Sequence, residues 1–277
     1  MAADSIQLPL LIEAEQLEPY LGHSNVLIVD LSKPQLYFRC HVPGAVHLPF
    51  ASLMKGEKPA PGLLPSVEQL TEVFSGLGLT PDTHVIAYDD EGGGWAGRLL
   101  WTLELIGHKH YSYLNGGIHA WVKRKMDIQS EEMLASPSTY KVSLDMTDAV
   151  DKDYIVENYQ RDDLIVWDAR SPEEHSGEKM LAARAGHIPG AANYEWTRAM
   201  DRMDALRIRD LDVIRKELSD IGITADKEII THCQTHHRSG FTYLLGRILG
   251  FENIKAYPGS WSEWGNDADT PVELSDI

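Results

Sequence analysis

Apolar residues follow two kinds of spacing along this chain, and the two kinds alternate. Short runs rich in Val, Ile and Leu, such as 26–30 and 164–168, have the length and composition of buried strands. Between such runs lie longer stretches in which apolar residues recur at helical intervals, namely 67–77, 98–106, 211–218 and 241–249. This alternation predicts an α/β fold in which mainly parallel sheets are flanked by helices.

The second half of the chain repeats the order of segments found in the first half. Val-Leu-Ile-Val-Asp is matched by Leu-Ile-Val-Trp-Asp, and His-Val-Pro-Gly-Ala is matched by His-Ile-Pro-Gly-Ala. The matched segments are 26–30 with 164–168, 41–45 with 187–191, and 115–121 with 258–264. One offset of 143 residues relates Gly107 to Gly250 and Trp121 to Trp264. Self-similarity at such a long period indicates a duplicated structural unit.

The stretch between the two halves has the weakest pattern. Residues 128–139 lack a clear apolar period and contain clusters of serine, glutamate and proline, which is typical of connecting segments. A chain of 277 residues has enough apolar sequence for two cores. We therefore predict one domain over 1–127, a linker over 128–140 and a second domain over 141–277.

The composition restricts the partners and the compartment. A formal net charge of −17 argues against nucleic acid or an anionic membrane surface as a partner, because both would be repelled. The start of the chain lacks the basic and apolar segments of a secretory signal, and no later segment is apolar enough to span a bilayer. The two cysteines, Cys40 and Cys233, do not indicate a disulfide framework. We expect a cytoplasmic protein whose thiols stay reduced.

Cys233 has the sequence context of a catalytic nucleophile. It follows the apolar run 228–231 and precedes the helical stretch 241–249, with a short loop that ends at Arg238. A strand, loop and helix in this order direct loop amides and the helix N-terminus at one sulfur. The basic loop is suited to an anionic substrate, and the candidate substrate-binding residues are Gln234, Thr235, His236, His237 and Arg238. We expect Cys40, in contrast, to be structural.

The first half serves as an internal control. The offset of 143 residues places Asp90 at the position of Cys233, in an acidic loop that contains no thiol. The sequence therefore predicts a non-catalytic first domain and a catalytic second domain. Because the His-Val/Ile-Pro-Gly-Ala segment occurs in both halves, we expect His41 and His187 to pack loops rather than to transfer protons.

Four segments, taken in order, resemble the rhodanese family, and specifically its tandem-domain sulfurtransferases with an inactive first domain. They are Asp168 to Arg170, Gly186 to Ala191, Cys233 to Arg238 and Tyr257 to Trp264. The resemblance implies two tandem rhodanese-like domains and transfer of sulfane sulfur through a persulfide on Cys233. The loop Cys-Gln-Thr-His-His-Arg is similar to that of bacterial thiosulfate sulfurtransferases. Thiosulfate is then the expected donor, cyanide or a small thiol the acceptor, and no metal or organic cofactor is required.

Three alternatives stay open on the sequence. A 3-mercaptopyruvate sulfurtransferase differs in donor, although enzymes of that kind carry a Gly-Ser-Gly-Val-Thr-like run after the cysteine. A persulfide carrier would deliver sulfur to a protein partner, for which we expect Asp89, Asp90 and Glu91 to form an exposed docking face. A cysteine-dependent phosphatase has five residues between cysteine and arginine, whereas Cys233 and Arg238 enclose four.

Two further side chains have specific expectations. Arg170 is expected to form an ion pair with Glu173 or Glu174, and Trp196 to lie near the mouth of the pocket. The histidines at 232, 236 and 237 cluster around Cys233, but the chain lacks the paired Cys-x-x-Cys units of structural zinc sites. We therefore expect no metal site.

Overall fold

The structure is a computed structural model, and it describes residues 6–275. The start of the chain, Met1 to Ser5, on which the expectation about a secretory signal partly depends, lies outside these residues. The described residues divide into two compact units. Unit 1 contains the chain up to Leu53, Pro65–Asp145 and Asp201–Ile208; unit 2 contains Met54–Leu64, Met146–Met200 and the chain from Arg209 onward.

Unit 1 is built on a parallel sheet with strand order β1-β5-β4-β2-β3. Its elements are β1 (Leu11–Ile12), α1 (Ala14–Leu17), β2 (Val26–Asp30), α2 (Pro34–Tyr37), β3 (Val46–His47), α3 (Val67–Gly76), β4 (His84–Tyr88), α4 (Gly94–Leu105), β5 (Tyr111–Leu114) and α5 (Gly117–Lys123). Short 3₁₀ turns span Glu18–Tyr20 and Phe50–Leu53. Helix α3 begins where Ser66 and Gln69 form a capping box, the arrangement that satisfies the first free amides of a helix.

Unit 2 repeats this design with strand order β11-β10-β6-β7, again parallel. Its elements are α6 (Lys152–Asn158), β6 (Leu164–Asp168), α7 (Pro172–Ser176), β7 (Ala192–Asn193), α8 (Leu211–Asp220), β10 (Glu228–His232), α9 (Arg238–Ile248), β11 (Ile254–Ala256) and α10 (Ser260–Trp264). A two-stranded ladder of β8 (Met200–Asp201) and β9 (Arg207–Ile208) lies in a stretch that belongs to unit 1 from Asp201 onward. A further 3₁₀ turn spans Trp196–Ala199. The predicted α/β fold with parallel sheets and flanking helices is confirmed.

The register of unit 2 positions its chemistry. His232 at the end of β10 pairs with Asp168 at the end of the neighbouring strand β6. Because parallel strands end at the same edge of a sheet, the loops that begin at Cys233 and Ala169 lie side by side. Ligand sites of open parallel sheets form at this carboxyl edge.

The predicted linker packs closely on unit 1. Gln129 forms a β-bridge with His41, and the amide of Ser138 donates to the carbonyl of Ser75 at 2.9 Å. The Ser75 hydroxyl also donates to the carbonyl of Tyr140 at 3.1 Å. Residues 128–140 therefore belong to the body of unit 1, while the domain boundaries themselves stay a prediction.

Asp89, and not Asp90 as the offset of 143 residues predicted, corresponds to Cys233, because each is the first residue after the matching strand, β4 or β10. Its carboxylate accepts hydrogen bonds from the backbone amides of Glu91, Gly93, Trp95 and Ala96, at 2.8 to 3.0 Å. The side chain is completely buried. Unit 1 thus supplies its own anion to the amides at the start of α4, and these amides are not available for an external ligand.

The expectation of an exposed acidic docking face on this loop is wrong. Asp89 is buried, the side chain of Asp90 is only 10% exposed, and Glu91 is 27% exposed. Lys33 lies 3.6 Å from the Asp90 carboxylate and 3.1 Å from that of Glu91, so it offsets part of their charge. The acids instead hold the loop together, because helix-terminal amides and a lysine are their partners.

Replacing Asp89 should test this assignment. We expect Asp89→Ala to lower the free energy of unfolding by about 3 kcal/mol, because it leaves several buried amides without an acceptor. The control Asp90→Ala loses a partly exposed ion pair and should cost less than about 1 kcal/mol. Urea titration followed by circular dichroism measures both values. Equal stability of the two variants would contradict the assignment.

Candidate active site

The loop between β10 and α9 places Cys233 at the carboxyl edge of the sheet. Cys233 follows the last residue of β10 and is 1% exposed, and helix α9 begins at Arg238. His236 has a φ of 56°, in the left-handed region, which lets the loop turn back on itself within few residues. The loop therefore surrounds the sulfur with backbone groups.

The Cys233 sulfur has several hydrogen-bond donors. The Ser239 hydroxyl lies 3.4 Å from Sγ and donates to it, and the amides of Ser239 and Thr235 also face it. Burial by itself raises the pKa of the Cys233 thiol, but the charge of Arg238 and these hydrogen bonds outweigh it, so the pKa is lowered. An ordinary cysteine with a pKa of about 8.5 is only ~3% thiolate at pH 7. The site therefore favours the reactive form of the side chain.

Ser239 also links the sulfur to His236. The Nδ1 atom of His236 lies 2.7 Å from the Ser239 hydroxyl oxygen, and His236 is completely buried. Since the hydroxyl donates its own hydrogen to Sγ, it accepts from Nδ1–H of the imidazole. The histidine thus orients the hydroxyl that stabilises the thiolate.

Arg238 is fixed by Glu174 of helix α7. Two guanidinium nitrogens lie 2.6 and 2.9 Å from the two carboxylate oxygens, and Glu174 is 2% exposed. Burial alone raises the pKa of Glu174, but the hydrogen bonds and charge of Arg238 outweigh it and hold this pKa below the ordinary value. Because the planar fork is occupied by the carboxylate, Arg238 acts on the sulfur through its charge and its fixed position.

Arg170 forms an ion pair as expected, but with a different partner from the predicted one. Arg170 forms two-point hydrogen bonds with Asp168, at 2.6 to 3.1 Å, rather than with Glu173 or Glu174. Its guanidinium also lies 4.3 Å from the ring centroid of Trp261, a cation–π contact. Glu174 is unavailable because it holds Arg238. Asp168 lies only two residues before Arg170, so the pair is local, but it forms with the acid on the other side of Arg170 in the sequence.

A buried charge cluster lies directly behind the loop. Asp168 is completely buried and accepts from Nδ1 of His175 at 2.9 Å in addition to Arg170. Burial raises the pKa of Asp168, but Arg170 and the hydrogen bonds outweigh it and hold this pKa well below the ordinary value. Burial lowers the pKa of His232 to about 4, so this imidazole is neutral at pH 7 and adds no charge to the loop.

The first turn of α10 supports the other side of the loop. The amide of Trp261 donates to the carbonyl of Cys233 at 2.9 Å, and the amide of Ser262 donates to that of Gln234 at 3.0 Å. The Cys233 amide lies 3.3 Å from the Ser260 hydroxyl oxygen and donates to it. The sequence motif Tyr257 to Trp264 therefore holds the backbone of Cys233 in place, a role that its composition did not reveal.

The remaining loop side chains have different surroundings. The Gln234 amide nitrogen donates to the carbonyl of Leu181 at 3.1 Å. His237 meets Trp196 edge-on, with ring centroids 5.4 Å apart, which places Trp196 beside the loop. Together with the internal bonds of His236 and Arg238, these contacts mean that the loop offers backbone amides to the sulfur more than free side chains. The substrate-binding roles of these residues stay a prediction.

The residues predicted to be structural are buried or packed as expected. His41 and His187 are buried, and each directs Nδ1 at a backbone carbonyl, of Tyr37 and His175 respectively. Cys40 packs against the core of unit 1. Among the residues that the structure describes, no three His, Cys, Asp or Glu side chains form a group that could hold a metal ion.

A strand of a parallel sheet followed directly by a cysteine, with loop amides and a helix N-terminus around the sulfur, defines a class of cysteine-dependent α/β domains. The rhodanese-like domain matches the chain twice, over residues 13–124 and 151–267. The chain belongs to this family, as its four motifs predicted. Across the described residues, no helix has the length and hydrophobicity needed to cross a membrane.

Similar proteins extend over nearly the whole chain. A thiosulfate sulfurtransferase of Pseudomonas aeruginosa is 49% identical over 96% of this chain and 98% of its own length. One of Azotobacter vinelandii is 49% identical over 98% of this chain and 99% of its own length. The sulfur carrier protein TtuD of Thermus thermophilus is 28% identical over 95% of this chain and 96% of its own. The wild-type structure of EanB shares the fold, with a TM-score of 0.86 and 21% identity, over 97% of this chain and 70% of that one.

Removing the Ser239 hydroxyl should weaken the thiolate. One hydrogen bond to a charged group is worth roughly 1.5 kcal/mol, so we expect Ser239→Ala to raise the Cys233 pKa by about one unit. The thiolate then forms at higher pH, and the acid limb of the pH–rate profile moves upward by the same amount. Thiolate absorbance against pH, with Cys233→Ser as the blank, measures this shift.

Ser112→Ala is the matched control. Ser112 is a buried serine in β5 of unit 1 whose hydroxyl donates to the carbonyl of Pro9. We expect this variant to leave the Cys233 titration unchanged. A Ser239→Ala titration that coincides with the wild type would refute a role for the hydroxyl.

Proposed function

We propose that this chain is a thiosulfate sulfurtransferase that passes the sulfane sulfur of thiosulfate to a thiophilic acceptor through a persulfide on Cys233. The observation that carries the proposal is the buried Cys233 sulfur, which is surrounded by donors and has a lowered pKa. The two bacterial relatives at 49% identity are thiosulfate sulfurtransferases, which supports thiosulfate as the donor.

In the first step the Cys233 thiolate attacks the outer sulfur of thiosulfate. A sulfur–sulfur bond to Cys233 forms while the sulfur–sulfur bond of thiosulfate breaks, and its electron pair leaves with sulfite. The transferred sulfur keeps a negative charge, which the loop amides stabilise as they stabilise the thiolate. No proton is transferred in this step and no outside oxidant is needed.

In the second step an acceptor such as cyanide or a small thiol attacks the outer sulfur of the persulfide. The bond between the two sulfurs breaks, and Cys233 leaves as a thiolate; with cyanide the product is thiocyanate. A thiol with a low pKa is a good leaving group in such exchanges, so the same donors that activate the nucleophile also favour its release. Neither a metal nor an organic cofactor takes part.

We assign donor binding to the loop residues Gln234, Thr235, His236, His237 and Arg238. Thr235 contributes its amide, and Arg238 contributes a fixed positive charge beside the sulfur. His236 acts through Ser239, since it is completely buried. The loop backbone provides short-range donors that suit an anionic sulfur species.

The geometry disfavours a phosphatase. Only four residues separate Cys233 from Arg238, which gives a smaller ring of amides than the five-residue loop of those enzymes. In addition, both terminal nitrogens of Arg238 bind Glu174, so the guanidinium fork is not free to hold phosphoryl oxygens. A single charged sulfur fits this site better than a tetrahedral phosphate.

A second candidate function is delivery of the persulfide sulfur to a protein acceptor. The likeness to the sulfur carrier protein TtuD favours it. The persulfide chemistry is the same, and only the acceptor differs. A 3-mercaptopyruvate donor likewise would change the first substrate and leave Cys233 in its role.

Thiosulfate should load one sulfur atom onto the enzyme. On mixing, we expect a burst of about one sulfite per Cys233, since covalent catalysis releases the first product before the acceptor is needed. Intact mass spectrometry should show a gain of one sulfur atom that cyanide reverses. Cys233→Ala should show neither the burst nor the gain.

Cys40→Ala is the control for the other thiol and should behave like the wild type. Persulfide formation from 3-mercaptopyruvate but not from thiosulfate would show that thiosulfate is not the sulfur donor, while sulfur transfer through Cys233 would stand. Hydrolysis of p-nitrophenyl phosphate without any sulfur transfer would overturn the proposal.

A further inference from the structure

A segment from the first repeat belongs to the compact unit that contains Cys233. This segment, Met54–Leu64, which we call the strap, lies within the first rhodanese-like match of the sequence and yet forms part of unit 2. It is closed on itself by backbone hydrogen bonds, from Lys55 to Leu63 at 2.7 Å and from Gly56 to Pro61 at 3.0 Å. The strap is therefore a defined loop rather than a loose connection.

Gly62 of the strap touches the active-site loop backbone to backbone. A Cβ atom placed on Gly62 would lie 2.3 Å from the carbonyl oxygen of Thr235 and 2.7 Å from that of Pro258. Both distances are well below van der Waals contact, and both neighbours are main-chain atoms, so no side-chain rotation relieves the overlap. The φ of Gly62 lies outside the left-handed region, so close approach and not backbone conformation requires glycine here.

Both neighbours of Gly62 belong to the segments that hold the Cys233 sulfur. The Thr235 amide is one of the donors to Sγ, and Pro258 precedes Ser260, whose hydroxyl accepts from the Cys233 amide. A shift of the Thr235 carbonyl moves the α-carbon of Thr235, and with it the preceding peptide whose N–H faces Sγ. A shift of the Pro258 carbonyl moves the chain two residues before Ser260. Gly62 thus contacts Thr235, which is two positions after Cys233, although 171 positions separate Gly62 from Cys233 in the chain.

The Thr235 side of the active-site loop borders a cavity, so the contact with Gly62 is a larger part of its support. A cavity of about 500 Å³ is lined on one side by Lys58, Pro59 and Pro61 of the strap, and on another by Gln234 and Thr235. Next to a cavity, a loop has few other atoms to rest on. The backbone of the strap at Gly62 is therefore a point of support for Thr235.

We propose that Gly62 is a positioning residue for sulfur transfer, because its bare α-carbon lets the strap hold Thr235 with its amide directed at Cys233. The part of this inference that concerns catalysis rests on the proposed function. The effect of Gly62 on the ionisation of the Cys233 thiol does not depend on any substrate. Gly62 acts through its contact with Thr235, and not through direct contact with the Cys233 sulfur or with thiosulfate.

The test compares Gly62→Ala with Gly76→Ala. Gly76, the last residue of α3, also has no positive φ, and an added Cβ there meets nothing within 4 Å. We expect Gly62→Ala to raise the Cys233 pKa by about one unit, which lowers the thiolate fraction at neutral pH up to about tenfold. Gly76→Ala should titrate like the wild type. Thiolate absorbance against pH, with Cys233→Ser as the blank, gives both values without substrate.

The sulfite burst provides the second readout. In Gly62→Ala the burst rate should fall at neutral pH and recover toward the wild-type rate at alkaline pH, a pH dependence that a general loss of structure does not produce. If Gly62→Ala does not fold, Ala60→Gly loosens the strap without adding an atom and should shift the titration in the same direction by a smaller amount. Ala60 is buried, and its carbonyl accepts from the Leu63 amide.

A folded Gly62→Ala with an unchanged titration would overturn the inference, as would an unchanged Ala60→Gly if the first variant does not fold. A wild-type chain that forms no persulfide would overturn the proposed function instead. In that case a shifted titration in Gly62→Ala would still support the positioning role. The two failures are therefore distinguishable.

Discussion

Backbone amides at the start of a helix must have an acceptor, and this requirement shapes both units. In unit 1 the amides before and within the first turn of α4 bind the buried carboxylate of Asp89. In unit 2 the corresponding position after the strand is the Cys233 loop, whose amides face a sulfur. Amides that already bind an internal carboxylate cannot bind an external anion. The residue after the strand, Asp89 in unit 1 and Cys233 in unit 2, therefore determines whether these amides face a carboxylate or a sulfur.

Two carboxylate–arginine pairs make the loop rigid. Asp168 binds Arg170 behind the sheet edge, and Glu174 binds Arg238 at the start of α9. Burying a charge is costly unless a partner satisfies it, and each pair supplies two parallel hydrogen bonds for that purpose. The guanidinium of Arg238 is thereby held close to the sulfur without side-chain freedom. The loop amides can then stabilise a thiolate or a persulfide without first being reorganised.

The sequence predicted the fold and singled out Cys233, because both inferences depend on local pattern and on repetition. The strand runs, the helical stretches and the position of Cys233 between β10 and α9 all follow from neighbouring residues. The partner of Glu174 could not be read in this way, since Arg238 is 64 positions away and the register of β6 and β10 brings the two segments together. Arg170 has acids nearby on both sides in the sequence, and local pattern does not show that Asp168 is its partner. The sequence could not predict the role of Gly62, because that role depends on a main-chain contact with Thr235. The two residues are far apart in the chain, in segments that the repeat assigns to different halves.

The attraction of the site for an anion depends on groups close to the sulfur, namely the charge of Arg238 and the loop amides, and not on the net charge of the chain. His232 is neutral at pH 7, and the charge of Arg238 is offset by Glu174, so the basic appearance of the loop sequence overstates its charge. The chain as a whole has a net charge of −17 and repels anions at long range. Amide dipoles act only over short distances, and salt screens such buried contacts far less than it screens exposed charges. The same short range explains why a displacement of one peptide, at Thr235, matters for the reactivity of Cys233.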